Sequence, residues 1–444
     1  MQYTKKFFVK ALVLILGALV LFMAILKLDG ICMREWEFSI VPFAIIGMIL
    51  VIVCIVFAFR TRSQGVKLTL AYLSVLPFCL AIGEVFFWYK ITYKPDGHVQ
   101  PDAIIGTANA PLGKDHRRRV VDGQLIYDVV YENDEHGLRI TPNANTESKT
   151  CLNIYGGSFV YGDALNAQDT LSAYLASALP EVQVRNFGIS GGGAHQMLAR
   201  LEFDMDSGVL ENCDENLFIY VAIPHHLYRA LGVFGGPKYT LDEKGVPVYR
   251  GKFNAADWRI FDDETSRHFT ISQRFANQLE KSYIKQFLEY GEQYSTEKML
   301  RRFPHGYASN TYFSNIDESS FDTYFAIIKQ IQHIVREKYG AKLHIIFWDY
   351  DMHAQFLDKY DTLIESALTR EHIPYTKVSE ILGESYKQDL GRVKLGDYEH
   401  FKYRISRWDT HPNALANQQI AAYITKEIIQ DNLTFAKSPH KEQQ

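Results

Sequence analysis

Three apolar stretches constrain this chain before anything else does. Residues 7–26 (FFVKALVLILGALVLFMAIL), 38–59 (FSIVPFAIIGMILVIVCIVFAF) and 68–89 (LTLAYLSVLPFCLAIGEVFFWY) are each long enough to cross a bilayer. About 20 apolar residues at ~1.5 Å rise span the ~30 Å hydrocarbon layer, so three transmembrane helices are expected. The first run is too long for a secretory signal and lacks a small-x-small cleavage site. Cys32 lacks the preceding small residues of a lipidated cysteine. Lys5, Lys6 and Lys10 open the first span, and Arg60, Arg62 and Lys67 fill the second loop. The first loop mixes Lys27 and Arg34 with Asp29, Glu35 and Glu37. The positive-inside bias places the N-terminus in the cytoplasm and everything beyond residue 90 outside it, periplasmic or otherwise extracytoplasmic. Glu84 is read as an acid near the interface, four residues from the end marked by Trp88, Tyr89 and Lys90.

The rest of the chain is long enough for a substantial core. The 444 residues are 47% apolar and 14% aromatic, and a net charge of −4 gives no support for a nucleic-acid partner. Residues 94–150 are polar and broken by prolines, and read as an extracytoplasmic connector with short strands turning at Asp122-Gly123. Leu125, Tyr127, Val129 and Tyr131 share one face of it, and the run His116-Arg117-Arg118-Arg119 reads as a solvated face. From 151 to 430 strands alternate with helices of 10–20 residues, which predicts an α/β domain with a parallel sheet covered on both faces, flavodoxin-like and three-layered. An insertion at 230–315 contains a hairpin turning at Glu243-Lys244-Gly245 and a helix over 266–300. Its aromatics, among them Tyr239, Tyr249, Phe253, Trp258 and Phe261, suit a hairpin face better than a sugar-stacking wall. Residues 431–444 form a polar tail.

The chemistry is concentrated at two distant points. At 151–163 (CLNIYGGSFVYGD) a buried strand stops at Gly156-Gly157, presents Ser158, and leads to a helical pattern at 167–179. Side chains at the carboxyl edge of a parallel sheet are where open α/β folds keep their active groups. At 407–424 (RWDTHPNALANQQIAAYI) Asp409 and His411 stand just before another helix. A hydroxyl, an imidazole and a carboxylate are the parts of an activated nucleophile: the first attacks, the second takes its proton, the third orients the second.

On these blocks the chain resembles the SGNH, or GDSL-type, hydrolase superfamily over roughly residues 151–430. GGSF at 156–159 is similar to its nucleophile block, with Gly157 in place of the family's aspartate. NFGISG at 186–191 is similar to the second block, and DTHPN at 409–413 to the last. The resemblance implies Ser158 as nucleophile, Asp409 and His411 as acid and base, and the Ser158 and Gly191 backbone amides as oxyanion donors. Two departures stand out. The acid and base are one residue apart instead of two, and the third block carries no Asn. His225 aligns with that Asn and His226 follows it, so an imidazole N–H is the expected replacement. The resemblance implies small acyl groups on carbohydrates, lipids or envelope polymers, with no cofactor.

The remaining signals are weaker. His225-His226, His344 and His353 with Asp349 and Asp351 lack metal-ligand spacing, and no metal is expected. Asp349 and Asp351 read as caps for a helix at 354–371. Cys151 and Cys213 each precede a strand of one sheet, so a disulfide is conceivable. The expected activity is that of a membrane-anchored serine esterase acting on an O-acylated glycan or another envelope ester. Two rivals stay open: an O-acyltransferase passing the acyl group to a sugar hydroxyl, and a silent glycan-binding scaffold.

Overall fold

The computed structural model describes residues 97–121, 124–232, 236–253, 321–349, 358–394, 402–406 and 409–433, and scattered residues between 52 and 69. The chain divides into two compact units, Met1–Pro95 with Asn254–Arg302, and Asp96–Phe253 with Phe303–Gln444. The expected spans lie almost wholly outside the described residues, as do the helix at 266–300, Glu84, Trp258, Phe261, Asp351, His353 and the tail beyond 433. Among the described residues no helix is long and apolar enough to cross a membrane.

The second unit begins with two hairpins, β1 (Val99–Asp102) with β2 (Gly106–Asn109), and β3 (Lys114–Val121) with β4 (Gln124–Glu132). The strand β5 (Thr150–Gly156) then runs into a single helical turn, α1 (Ser158–Tyr161), followed by α2 (Leu171–Ala178), β6 (Gln183–Gly188) and α3 (Ala194–Glu202). A short turn α4 (Ser207–Leu210) leads to β7 (Glu215–Ala222), α5 (His225–Ala230), and the hairpin β8 (Pro237–Leu241) with β9 (Pro247–Lys252). Beyond residue 320 come α6 (Asp322–Tyr339), β10 (Lys342–Phe347), α7 (Asp358–Arg370), β11 (Tyr375–Lys377) and α8 (Val378–Lys394). The short pair β12 (Arg404–Ser406) and β13 (Asp409–Pro412) precedes α9 (Ala414–Tyr423).

Five of these strands make one parallel sheet in the order β11-β10-β7-β5-β6. Counted from β5, that is second, first, third, fourth, fifth, the order of flavodoxin-like doubly wound sheets. The central strand β7 shows why both faces are covered. Leu217, Ile219 and Val221 enter one core with Ile154, Leu175, Leu382 and Ile420, while Phe218, Tyr220 and Ala222 enter the other with Tyr155, Leu198, Ile328 and Ile364. Successive side chains point to opposite faces, so an unbroken apolar run requires apolar layers on both. The helix α6 supplies its share through Tyr324, Ile327, Ile328, Ile331 and Val335, buried at helical spacing.

Elsewhere the structure revises local expectations. The basic run lies inside β3, and its last member, Arg119, is buried at 7% exposure instead of solvated. Asp349 caps α8 by accepting from the Ser379 backbone at 2.9 Å and from the Ser379 hydroxyl, instead of capping the helix that follows it directly. A helix, α8, occupies the stretch between β11 and the last block, where the sequence showed no periodic signal because Gly383 at φ 68° interrupts it. Tyr239 is buried and donates to Glu202 at 2.7 Å, and Tyr249 donates to the Ile104 carbonyl at 3.1 Å; both serve hairpin packing. Cys151 and Cys213 are joined as a disulfide at the amino-terminal end of the sheet.

Candidate active site

Ser158 sits where β5 ends. Gly157 caps the turn α1, and Ser158 is its first residue, 6% exposed. Why glycine precedes it is steric. A methyl group on Gly157 would lie 2.7 Å from Arg229 Nη1, 2.8 Å from the Gly192 carbonyl oxygen and 3.1 Å from His226 Nε2. An aspartate side chain would have no room here, because α5 and the β6–α3 loop close over this backbone. Asn186 braces the turn from β6: its Nδ2 donates to the Val160 carbonyl at 2.7 Å and to Ser172 Oγ at 3.1 Å.

Asp409 and His411 lie in β13, and this accounts for their spacing. In an extended strand residues two apart face the same side. The Asp409 carboxylate therefore reaches both the His411 backbone N–H at 3.1 Å and His411 Nδ1 at 2.6 Å through one oxygen. With Nδ1 so occupied, Nε2 is the ring atom available for chemistry. The His411 ring meets the ring of Phe159, the residue after Ser158, edge-on at 5.5 Å between centroids. The first and last blocks thus converge at the carboxyl edge of the sheet. Among the described residues the Ser158 hydroxyl has no hydrogen-bond partner.

Two further groups complete the surroundings of the pair, and neither was singled out from the sequence. Arg119 Nη1 lies 3.1 Å from the other Asp409 oxygen, and the two side chains are 7% and 8% exposed. Asp163, in the loop after α1, places Oδ2 3.9 Å from His411 Nε2 and accepts from Ser190 Oγ at 2.5 Å. The hairpin β3–β4 holds that loop in place. Ala164 N–H donates to the Tyr131 hydroxyl at 2.7 Å, and Val130 N–H donates to Asn166 Oδ1 at 3.1 Å. Arg139 donates to the Val130 and Leu165 carbonyls, both at 3.1 Å, and lies over the Tyr131 and Tyr161 rings.

The electrostatics follow from these neighbours. Burial works against a charged His411, but the Asp409 carboxylate outweighs it, with Asp163 adding to the effect, so its pKa lies above the usual histidine value. Burial likewise works against a charged Asp409, but the charge and hydrogen bond of His411, together with Arg119, hold its pKa below the usual carboxylate value.

The expected oxyanion groups separate. Gly191 lies in the tight loop Ile189–Gly193 at φ 77°, a left-handed conformation suited to glycine, with open space on its Cα. Gly192 N–H closes the loop on the Ile189 carbonyl at 2.7 Å, and Ile189 N–H donates to the Gly156 carbonyl at 3.1 Å. His226 is 1% exposed, with Nε2 facing Gly157 and Nδ1 2.5 Å from the Tyr220 hydroxyl. His225, the first residue of α5, is half-buried. Among the described residues no three His, Cys, Asp or Glu side chains are placed to hold a metal ion. His344 bonds Thr376 at 2.9 Å, and burial lowers its pKa to about 4.

No protein-family model and no curated protein matches the chain. It is similar to the crystal structure of LAE5, an alpha/beta hydrolase enzyme from the metagenome of Lake Arreo, Spain, at 14% identity over 63% of this chain and 95% of that one, with a TM-score of 0.26. A second crystal structure is similar at 11% identity over 63% of this chain and 96% of that one, with a TM-score of 0.33. Likenesses of this size carry no argument, and the functional reading rests on the site itself.

Proposed function

We propose that the chain is a serine-dependent ester hydrolase of the SGNH type, anchored by three membrane spans with its catalytic domain outside the cytoplasm. The observation that carries this reading is the meeting of two distant pieces of chain. The Asp409–His411 pair, bonded at 2.6 Å, lies against Phe159 beside the buried Ser158. In this reading Ser158 Oγ attacks the ester carbonyl carbon while its proton passes to His411 Nε2. The carbonyl oxygen takes the negative charge and is held by the backbone N–H groups of Ser158 and Gly191, with His226 as the third donor. The intermediate collapses, the alcohol leaves with the proton from Nε2, and Ser158 keeps the acyl group. Water then repeats the sequence, releasing a carboxylic acid and restoring the hydroxyl.

The Cys151–Cys213 disulfide supports an extracytoplasmic domain, since disulfides persist in oxidising compartments. The membrane anchor supports an O-acylated surface glycan or another envelope ester as substrate. Covalent labelling by a fluorophosphonate tests the proposal. Labelling that is confined to Ser158 and lost in both S158A and H411A is expected. A protein that takes no label at Ser158 is not a serine esterase, and the silent scaffold then replaces this reading.

A further inference from the structure

We propose that Arg119, carried in by the β3–β4 hairpin, is a positioning residue that fixes the Asp409 carboxylate and offsets part of its charge, so that Asp409 favours the His411 imidazolium less strongly and the ring can still act as a base. The inference deepens the function proposed above and rests on its assignment of His411.

The geometry separates this role from simple stapling of the hairpin. Arg119 and Asp409 are 290 residues apart in sequence, nine-tenths buried, and 3.1 Å apart. Arg119 Nε and Nη2 are buried with no hydrogen-bond partner among the described residues, so its hydrogen bonding is spent on Asp409 alone. The hairpin already has a staple. Arg139 spans two backbone carbonyls and two tyrosine rings, as a residue holding segments together would.

Charge counting shows what Arg119 does. His411 faces Asp409 at Nδ1 and Asp163 at Nε2, from the loop after α1. Arg404 of β12 opposes them through its charge, and Tyr127 of β4 lies close enough to feel both Asp409 and Arg119. With Arg119 present, the group Arg119, Asp409 and neutral His411 sums to zero, and protonating His411 makes it positive. Without Arg119 the neutral-imidazole state carries a net negative charge, and taking up a proton cancels it. Buried sites favour the uncharged sum, so losing Arg119 drives His411 toward the imidazolium, which cannot accept a proton from Ser158.

The test is a histidine titration of the full-length protein in lipid nanodiscs, followed by NMR of 13Cε1-labelled histidine. In R119M the His411 midpoint is expected to rise by about one pH unit or more, a roughly tenfold gain in imidazolium at intermediate pH. In R119K the charge is kept, and a midpoint within about 0.3 unit of wild type is expected. An unmoved or lowered midpoint in folded R119M overturns the proposal. Should R119M not fold, the wild-type Arg119 Nε–H resonance decides: it must shift with the His411 midpoint, and a resonance that ignores that titration overturns the proposal equally. None of these readouts needs turnover. Absence of Ser158 labelling would sink the esterase reading while the coupling of Arg119 to His411 stayed measurable.

Discussion

Asp163 Oδ2 stands 3.9 Å from His411 Nε2, on the ring edge opposite Asp409. The imidazole is therefore flanked by carboxylates on both sides, and the second of them faces the atom that exchanges protons with Ser158 in the proposed mechanism. Asp163 helps raise the His411 pKa. Replacing it by Asn should lower that pKa and shift the acid limb of the pH profile for fluorophosphonate labelling downward, by up to about one pH unit. A limb that moves up, or stays, contradicts the electrostatic role.

The same shifts set a pH dependence of stability. His411 has a raised pKa in the folded state, so its contribution is complete below the ordinary value of about 6.5 and is lost as pH rises through the folded value. Asp409 has a depressed pKa, so its contribution holds at neutral pH and is lost as pH falls through its low folded value. Thermal unfolding of H411Q against wild type should show the alkaline decline flattened in the variant. Parallel curves on that side would remove His411 as its cause.

Gly157 should tolerate no side chain. In G157A the new methyl group meets Arg229 Nη1 and the Gly192 carbonyl inside 3 Å. A loss of about 1–3 kcal/mol in stability is expected from overpacking. Displacement of Ser158 should slow labelling by on the order of tenfold or more, since small misplacements at a reacting centre are costly. Denaturant unfolding and labelling rates measure the two effects. Wild-type behaviour in both would show that the backbone there can yield.

Asn186 should be required for its two donated hydrogen bonds. N186A leaves the Val160 carbonyl and Ser172 hydroxyl short of a buried donor, at a cost of about 1–3 kcal/mol. N186D should be no better, because a carboxylate oxygen would face a carbonyl oxygen. If N186D instead matched wild type in unfolding experiments, the brace would not depend on donation from Nδ2.

The Cys151–Cys213 disulfide lies at the opposite end of β5 from Ser158, and closes a loop with a sequence separation of 62. Replacing both cysteines by Ser should cost about 2–5 kcal/mol in stability yet leave Ser158 labelling near wild type at low temperature. Thermal unfolding with and without a reductant gives the first quantity. A labelling rate that collapsed while the protein remained folded would show that the two ends of the strand are coupled.

What was legible in the chain were the features set by local periodicity and near neighbours. Apolar runs at alternating spacing specified the strands and helices of an α/β unit, the glycine pair after Tyr155 marked a strand end with a hydroxyl, and the pair Asp409 and His411 stood together because two residues of one strand share a face. What only the tertiary structure decided were the contacts between segments distant in sequence. The neighbouring residues His225 and His226 look alike in the sequence, and it is the path of α5 that brings the Nε2 of the second against Gly157. Arg119 looked like one more solvated cation until the hairpin buried it on a carboxylate 290 residues away, and Asp163 and Ser190 lay within the first and second blocks with nothing in the sequence to pair them. The reason is physical: periodicity is written within one element, whereas the charge around an imidazole depends on which elements the fold brings to it.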